Sequence, residues 1–463
     1  MFAPMDGDSP MTEFDAVFIG GGSATEAAAP RLAEAGWEVL VLEPGDVGGE
    51  CPFTACIPSK ALLTPARAVY EAAESQGVSM PDIDAAEVFR LRDRVTSGGS
   101  DAGHAASLEA AGVRLSRSHG RITGPRSVEL IEESRTVRAR RAVVVATGAA
   151  PVLPGIPGID GRRVGPAADL TTVQSVPDRL VVLGAGVIGC ELAQAFRLLG
   201  SDVTVLDLAE RPVPAEESEA SKRIQQALER LGIRFRFSTS ATAFVDTDDE
   251  VVVEVDGGES VVADHVLVAV GRRPRVSAIG LESVGVDPRE LQTDEWLRVA
   301  GAEDWLYAIG DVNGRAPYTH GANYQGAILT EHLLGDASSG GARGDRAATP
   351  RVMFTVPNLA AVGLTEDQAR RVGIDVIISE WDLSDVAAAY SHGHEHPGWA
   401  KLVFDASSRQ LVGATFVSAD AGEMIHAATI AIIGKLTIES LRHAIAPFPT
   451  HSEVWTPLLS QVL

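Results

Sequence analysis

The first fifty residues pass from a short apolar run to a helical pattern and back to an apolar run, which predicts a strand, a helix and a second strand. The first run, 16–19, meets three glycines at 20–22. A helical stretch then extends to Ala35, and the second apolar run, 38–42, ends at Glu43. The pattern therefore predicts a βαβ unit with a glycine turn at its first corner.

The same order of elements returns in the middle of the chain. An apolar run at 180–183 meets the glycine turn 184–186, and a helical pattern covers 187–199. A further apolar run, 203–206, ends at Asp207. Apart from this doubled unit, the chain shows no repeat of short period.

Both glycine turns have the chemistry of a dinucleotide-binding site. Glycines let the backbone approach a pyrophosphate, the following helix presents free N–H groups, and an acid at the second strand end binds ribose hydroxyls. One such turn is a weak indication, but two with acids in place favour two dinucleotides over glycine turns in a nucleotide-free domain.

The first turn departs from the pattern twice. Thr25 replaces the third glycine and should push helix and strand slightly apart, and Pro30 should kink the helix or interrupt its hydrogen bonding.

The rest of the pattern predicts helices and then short strands, followed by buried strands at 142–148, 266–271 and 306–311. The Gly-, Ser- and Ala-rich stretch 336–346 resembles a linker. After it, 353–463 alternates strands and helices, as an α+β unit does. At ordinary domain sizes of roughly 100–200 residues, this organisation predicts about three domains.

Composition and charge exclude several classes of protein. The chain is 45% apolar, which is enough for several cores, and no apolar run approaches the roughly 18–20 residues of a membrane span. The acidic, proline-containing first residues do not look like a signal peptide, so a cytoplasmic location is expected. The net charge of −24 argues against nucleic-acid or anionic-membrane partners.

The three cysteines, Cys51, Cys56 and Cys190, are too few for a disulfide scaffold. Cys190 lies within the second glycine turn and is predicted to be a small packed residue. Cys51 and Cys56 stand in the stretch 48–60, GGECPFTACIPSK, at a predicted helix start. Two cysteines with four residues between them can close a reducible disulfide, and a helix N-terminus lowers the pKa of a thiol. The stretch therefore predicts a redox-active pair.

With this motif directly behind a nucleotide-binding unit, the sequence resembles the pyridine nucleotide-disulfide oxidoreductases, the family of dihydrolipoamide dehydrogenase, glutathione and mycothione reductases and mercuric reductase. The resemblance extends from about Phe14 to Glu453. Beside the redox motif, it rests on the stretches 146–148, 184–191, 271–274, 308–311 and 354–366.

The resemblance implies an α/β fold with two Rossmann-like domains and a C-terminal α+β dimerisation domain. The FAD-binding domain would comprise 12–150 and 274–346, the NAD-binding domain 151–273 and the dimerisation domain 347–463. The implied cofactors are FAD and NAD(H), and the expected assembly is a homodimer. Asp207 favours NAD(H) over NADP(H), because its carboxylate would repel a 2′-phosphate.

The resemblance also implies roles for individual residues. Cys51 matches the interchange thiol that attacks the substrate, Cys56 the thiol that contacts the flavin, Lys60 the lysine near flavin N5, and Glu191 its ion-pair partner. The implied cofactor-binding residues are Gly20, Gly22, Glu43, Gly49, Thr147, Gly148, Gly184, Gly186, Gly189, Asp207, Gly271, Gly310 and Asp311. No resident metal is expected.

The C-terminal motif departs from the family. Disulfide reductases have His-Pro-Thr-x-Ser-Glu, with the histidine as general acid/base, whereas this chain places Phe448 at the histidine position and retains Glu453. Losing a general acid/base typically lowers the rate about 10²–10⁴-fold. Mercuric reductases also carry an aromatic residue there, but they usually end in a cysteine pair, and here no cysteine follows Cys190. His451 is a candidate substitute, although on a helix it would point about 300° away from position 448, so an ordinary interface histidine is favoured.

The electron acceptor is left open by the sequence. It is a small-molecule or small-protein disulfide, a metal ion, a quinone or another carrier. Two other interpretations are a dithiol oxidase that passes electrons to NAD⁺ or oxygen, and a flavin-binding protein without catalysis, against which the intact redox motif counts. A metal site at His392, His394 and His396 is disfavoured, since the nearby glycines and proline indicate a hairpin tip.

Overall fold

The computed structural model describes residues 12–75, 77–302, 304–336, 338, 340–392 and 398–463. His394 and His396 of the disfavoured metal site lie outside these residues. The chain forms two compact units. The first contains the described residues up to Phe53 together with Ser97–Ala150 and Arg272–Arg346, and the second contains Thr54–Thr96, Pro151–Gly271 and the described residues from Ala347 onward.

The first unit is built on a sheet whose central strand is Thr12–Ile19. Val39–Leu42 lies parallel to it on one side, followed by Arg114–Ser116. The long strand Arg135–Val145 lies parallel to it on the other side, and the carboxyl-terminal part of that strand pairs in parallel with Leu306–Ala308. This order is that of a doubly wound nucleotide-binding sheet.

The central strand is an uninterrupted apolar run because both faces of the sheet are covered. Ala16 and Phe18 belong to one buried cluster, and Val17 and Ile19 belong to another. The amino-terminal part of the long strand continues into antiparallel partners. These further strands are Ser127–Leu130 and Gly120–Gly124, and two short strands are Ala149–Pro151 and Arg272–Pro274. The helices and 3-10 turns of this part of the chain are Ser23–Glu34, Glu50–Phe53, Ser97–Gly99, Ala102–Ala110, Leu281–Val284, Pro288–Glu290, Gly310–Asn313, Thr319–Leu333 and Gly344–Ala347.

The second unit contains a parallel sheet of the same type. Its strands, in spatial order, are Arg234–Arg236, Asp202–Leu206, Arg179–Leu183, His265–Val268 and Val164–Pro166. An antiparallel sheet of Ala241–Asp246, Val251–Val255 and Ser260–Ala263 accompanies it. The helices of this region are Cys56–Glu74, Ala85–Val95, Ala167–Thr171, Val187–Leu199 and Ser218–Arg230.

The C-terminal part of the second unit has its own antiparallel sheet and its own buried cluster. Its strands, in spatial order, are Arg351–Met353, Asn358–Gly363, Leu411–Ser418, Trp399–Asp405 and Val376–Asp382. Its helices and 3-10 turns are Glu366–Arg371, Leu383–Asp385, Ala387–His392, Ala421–Ile433, Ile438–Leu441, His451–Val454 and Trp455–Ser460. The predicted fold class is therefore confirmed, including the α+β character of this region.

Two local expectations need correction. Pro30 does not end the helix Ser23–Glu34, because a proline removes only one hydrogen bond while the fully buried Ala28, Ala29 and Leu32 keep the helix packed; the kink at Pro30 stays a prediction. The stretch that resembles a linker, 336–346, is not a simple spacer, since Asp345 within it is buried. Among the described residues, no helix is both long and apolar enough to cross a membrane.

Candidate active site

The first glycine turn packs directly on the neighbouring strand end. Gly20 has a φ of +110°, and a Cβ added there would overlap the carbonyl oxygen of Ala146. The N–H of Gly21 donates to Oε2 of Glu43 at 2.7 Å, and Gly22 is the N-cap of the helix that follows. This open backbone at a helix N-terminus, with a carboxylate beside it, fits the adenosine diphosphate half of FAD.

The loop that leads to the cysteine motif closes over this turn. The N–H of Gly48 donates to the carbonyl of Gly21 at 2.8 Å. Gly49 has a φ of +73°, and a Cβ there would lie 3.3 Å from Cα of Gly22. Gly49 is therefore close to the first glycine turn, as a cofactor-binding residue should be.

Two further predicted cofactor residues are joined to a single arginine. The hydroxyl of Thr147 donates to the carbonyl of Arg275 at 2.6 Å, and the N–H of Arg275 donates to the carbonyl of Gly148 at 2.9 Å.

Gly271, another predicted cofactor residue, lies in the second unit. Its carbonyl accepts from the N–H of Val152 at 2.9 Å.

The turn that carries Asp311 is held by a buried polar network. The N–H of Gly310 donates to Oε1 of Gln325 at 2.7 Å, and Nε2 of Gln325 donates to Oδ2 of Asp345 at 2.8 Å. Asp345 also pairs with Arg315 at 2.6 Å. Burial raises the pKa of the Asp311 carboxyl above its ordinary value.

Each predicted redox cysteine lies at the start of a helix. Cys51 is the second residue of Glu50–Phe53, and Cys56 is the first residue of Cys56–Glu74. The hydroxyl of Thr319 donates to Sγ of Cys51 at 3.2 Å, and Thr319 itself begins the helix Thr319–Leu333. Both cysteines are half-buried, so the motif is accessible as well as ordered.

Lys60 and Glu191 form the predicted ion pair. Nζ of Lys60 lies 2.7 Å from Oε2 of Glu191, whose side chain is only 2% exposed. The other carboxylate oxygen of Glu191 accepts from the N–H of Phe354 at 2.8 Å, and Nζ of Lys60 lies 5.1 Å from the centre of the Phe354 ring. The buried carboxylate thus fixes the direction of a lysine that is itself half-exposed.

The second glycine turn repeats the geometry of the first. Gly184 has a φ of +101°, and a Cβ there would lie 2.5 Å from the carbonyl oxygen of Ala269. The N–H of Ala185 donates to Oδ2 of Asp207 at 2.5 Å, and Gly186 is the N-cap of the following helix. The arrangement fits a second dinucleotide.

The residue directly after Asp207 carries no charge. Leu208 is 75% exposed, and Oδ1 of Asp207 accepts from the N–H of Ala209 at 2.7 Å. The guanidinium of Arg211 donates to the carbonyls of Pro214 and Glu216, at 2.9 and 3.1 Å.

Phe448 and Glu453 occupy the positions of the family's histidine–glutamate pair, but a phenyl ring has no nitrogen to donate to the glutamate. The ring of Phe448 is 73% exposed. Oε2 of Glu453 accepts from the N–H of Ala387 at 3.3 Å.

His451 points into its own unit. It is 9% exposed, and its Nδ1 lies 2.8 Å from Oδ2 of Asp420, whose other oxygen lies 2.9 Å from the guanidinium of Arg67. The hydrogen bond from His451, with help from Arg67, holds the pKa of the Asp420 carboxyl well below its ordinary range. The imidazole is therefore packed against a carboxylate, whereas Phe448 lies at the surface. Within the described ranges, no three His, Cys, Asp or Glu side chains are grouped to hold a metal.

Comparisons with known proteins agree with this geometry. Residues 14–326 match the sequence profile of the family described as pyridine nucleotide-disulphide oxidoreductase, and residues 349–459 match the dimerisation domain of the same family. A mercuric reductase from Staphylococcus aureus is 33% identical over 95% of this chain and 81% of its own length. A dihydrolipoyl dehydrogenase from Thermus scotoductus is 34% identical over 96% of both chains.

Solved structures give the same picture. The Cu(II) complex of the HOCl-induced flavoprotein disulfide reductase RclA from Escherichia coli matches with a TM-score of 0.84 at 26% identity, and covers 97% of this chain and 100% of its own. LpdA from Mycobacterium tuberculosis matches with a TM-score of 0.84 at 25% identity, and covers 98% of this chain and 100% of its own.

Sequence reasoning missed several residues at the site. Thr319, Arg275, Gln325 and Asp345 contact predicted site residues or their neighbours, yet none belongs to a motif that the sequence singled out. Two positions offered a usable signal, since Arg275 directly follows the stretch 271–274 and Thr319 lies eight residues after Asp311.

Proposed function

The chain belongs to the pyridine nucleotide-disulphide oxidoreductase family, and on that premise we propose that it passes electrons from NADH, through FAD, to the Cys51–Cys56 pair and on to a soft metal ion. It is an enzyme of this family, whose members depend on FAD and use NAD(P)H. Its dimerisation domain supports a homodimer. The nature of the acceptor, the preference for NADH and the roles of individual residues are the proposed parts.

The chain supplies a place for each cofactor. The first glycine turn with Glu43, together with Thr147, Gly148 and the Asp311 turn, would hold FAD, which accepts hydride from a nicotinamide and delivers two electrons to a disulfide. The second glycine turn with Asp207 would hold NADH. The carboxylate of Asp207 favours a ribose with a free 2′-hydroxyl.

The exposed ring of Phe448 carries the proposal about the acceptor. A disulfide acceptor leaves as a thiolate that must be protonated, and in disulfide reductases the histidine at this position performs that step. Phe448 has no titratable group, and the imidazole of His451 is buried against Asp420. A metal ion takes electrons without a leaving thiolate, so its reduction does not need the histidine as a general acid.

Thiolates suit soft metal ions, and two similar proteins fit this choice, although this chain lacks the C-terminal cysteine pair that mercuric reductases usually carry. The S. aureus relative is named a mercuric reductase, and RclA was solved with Cu(II). The electron count closes in either case. One NADH gives a hydride and becomes NAD⁺, and this hydride with one proton from solvent reduces the disulfide to two thiols. The thiols return to the disulfide and release two protons to solvent when they reduce one Hg(II) to Hg(0) or two Cu(II) to two Cu(I).

The test compares acceptors with the purified flavoprotein. We expect NADH oxidation with Cu(II), measured as trapped Cu(I), or with Hg(II) to exceed that with lipoamide or glutathione disulfide by at least about 100-fold, in line with the loss of a general acid. A variant with both Cys51→Ser and Cys56→Ser should lose the metal-dependent rate. Wild-type reduction of lipoamide at the metal-dependent rate, or full activity of the double variant, would refute the proposal.

Substitutions of Phe448 distinguish two effects of this residue: the lack of a proton donor for the leaving thiolate and the blocking of access by the ring. Phe448→His should raise the lipoamide rate by at least about tenfold, because it returns a general acid. Phe448→Leu is the matched control, since it removes the ring and adds no proton carrier. If Leu raises the lipoamide rate as much as His does, the ring blocks access and the proton argument fails.

A further inference from the structure

Glu50, the residue directly before Cys51, is held by two arginines. Its Oε2 accepts from Arg272 at 2.5 Å, and its Oε1 accepts from Arg275 at 2.6 Å. The nitrogen of Arg272 that contacts Glu50 also donates to the carbonyl of Ala149 at 2.6 Å. The carboxylate thus uses both oxygens and is fixed by residues more than 220 positions away in the sequence.

The helix that carries Cys51 is too short to be stable alone. Glu50–Phe53 has four residues, and an isolated helix of that length does not persist in water. It is held by Thr319 at Cys51, by the edge-to-face contact of Phe53 with His104 at 5.4 Å, and by the arginines at Glu50. The position of the Glu50 charge relative to Cys51 is therefore set by the fold.

The charge of the Glu50 side chain affects how readily the sulfur of Cys51 becomes a thiolate. A lone carboxylate one residue from Cys51 would oppose the added negative charge. Arg272 and Arg275 reverse the balance, since the three side chains together carry a net charge of +1. The same three groups act on the neighbouring Asp311, where burial raises the pKa of the carboxyl, the arginines oppose that rise and Glu50 adds to it.

We propose that Glu50 is a positioning residue that, balanced by Arg272 and Arg275, sets the reduction potential of the Cys51–Cys56 couple. The proposal rests on the proposed function, because it requires these two cysteines to be a redox couple. Reduction adds two electrons and one proton from solvent to the disulfide and gives one thiol and one thiolate, so positive charge nearby favours the reduced form. Glu50 offsets part of that charge and keeps the couple more reducing.

The experiment equilibrates the full-length flavoprotein with mixtures of reduced and oxidised dithiothreitol. After acid quenching and unfolding, the thiols are counted by mass after maleimide labelling. Where water screens the groups, a unit charge one residue away changes such an equilibrium by about threefold. Glu50→Gln should therefore favour the dithiol about threefold, which at 29.6 mV per tenfold is about 14 mV.

Arg275→Gln should move the equilibrium in the opposite direction by a similar factor. The variant that combines Glu50→Gln with Arg275→Gln should return close to wild type. Glu129→Gln is the matched control, because Glu129 forms a comparable half-exposed pair with Arg121 on another strand of the same unit. It should leave the thiol equilibrium unchanged.

Each outcome has one meaning. The role of Glu50 is refuted if the thiol–disulfide equilibrium is the same in wild type, Glu50→Gln and Arg275→Gln. It is also refuted if the two variants shift that equilibrium in the same direction. A purely structural role would alter the melting temperature and leave these opposite shifts absent. If wild type shows no two-electron couple at Cys51 and Cys56, the proposed function itself fails, and that result is distinct from an unshifted couple. Should Glu50→Gln fold poorly, Arg275→Gln against wild type still tests the sign.

Discussion

The two glycine turns, at 20–25 and 184–189, have the same local geometry in the two proposed nucleotide sites. In each, the first glycine has a positive φ and faces a carbonyl of the neighbouring strand end, the next N–H donates to an acid from the following strand, and a glycine caps the helix. The acids are Glu43 and Asp207.

The turns differ at the third glycine position. A Cβ at Gly189 would overlap the carbonyl oxygen of Gly184, so only glycine fits there. The matching residue in the first turn is Thr25, which is fully buried and donates its hydroxyl to the carbonyl of Gly20 at 2.7 Å. A missing motif glycine is therefore no sign of decay, because the first turn uses the space under its helix for a hydrogen bond that the second turn cannot form.

The largest effect should come from breaking the second turn. Gly189→Ala must displace the helix from the turn, and overpacking of this kind costs about 1–3 kcal/mol. We expect the KM for NADH to rise at least about tenfold while the FAD content stays normal. NADH titration and flavin absorbance measure the two quantities. Gly155→Ala, in the same unit, is the control because a Cβ there meets no atom within 4 Å.

The acids should separate the two sites. Asp207→Asn removes the charge that repels a 2′-phosphate, and the ratio of kcat/KM for NADPH to that for NADH should rise about tenfold. Glu43→Gln removes the matching charge from the first turn. It should weaken FAD retention and leave the nucleotide ratio unchanged. A changed ratio in Glu43→Gln would mean that the two turns do not serve separate nucleotides.

Thr25 should make a smaller difference. Thr25→Ala leaves the buried carbonyl of Gly20 without its hydroxyl donor, a loss of about 1 kcal/mol, so the dissociation constant for FAD should rise about fivefold. Thr25→Ser keeps the hydroxyl and should bind FAD like wild type. Fluorescence of released flavin after dilution measures both. Tighter binding in Thr25→Gly would show that the threonine is a defect after all.

The sequence was sufficient for the parts of the site that depend on local pattern. Both turns, both acids and the family were predicted, because period, glycine spacing and strand ends lie within about thirty residues of each other. The family and the fold class are confirmed, whereas the roles of the individual site residues stay predictions. Contacts between distant segments could not be predicted. Thr319 meets Cys51 across 268 positions, and Arg275 meets Glu50 across 225.

Two other differences also came from packing. Thr25 was expected to separate helix and strand, which stays a prediction, but the sequence did not reveal that its hydroxyl donates to the carbonyl of Gly20. The composition of 336–346 indicates a linker, yet Asp345 is buried because Gln325 and Arg315 require a partner. Composition reports average exposure and cannot identify which residues of a loop are buried.

The smallest effect on activity is expected at the position after Thr25 and Gly189. The first turn has Glu26 there and the second has Cys190. Cys190 is fully buried, with Sγ 3.4 Å from the carbonyl oxygen of Ala185, and burial raises the pKa of its thiol. In the folded protein it should stay protonated and resist iodoacetamide at pH 8, where the reduced Cys51 and Cys56 react.

The thiol of Cys190 in the unfolded chain ionises near pH 8.5. The raised pKa in the folded protein therefore leaves stability intact below about pH 8.5 and lowers it above. Cys190→Ala should therefore flatten the fall of Tm between about pH 8.5 and 10 and leave NADH turnover unchanged. Rapid labelling of Cys190 in the folded enzyme would instead show that the second turn opens, and that the tight packing inferred at Gly189 is wrong.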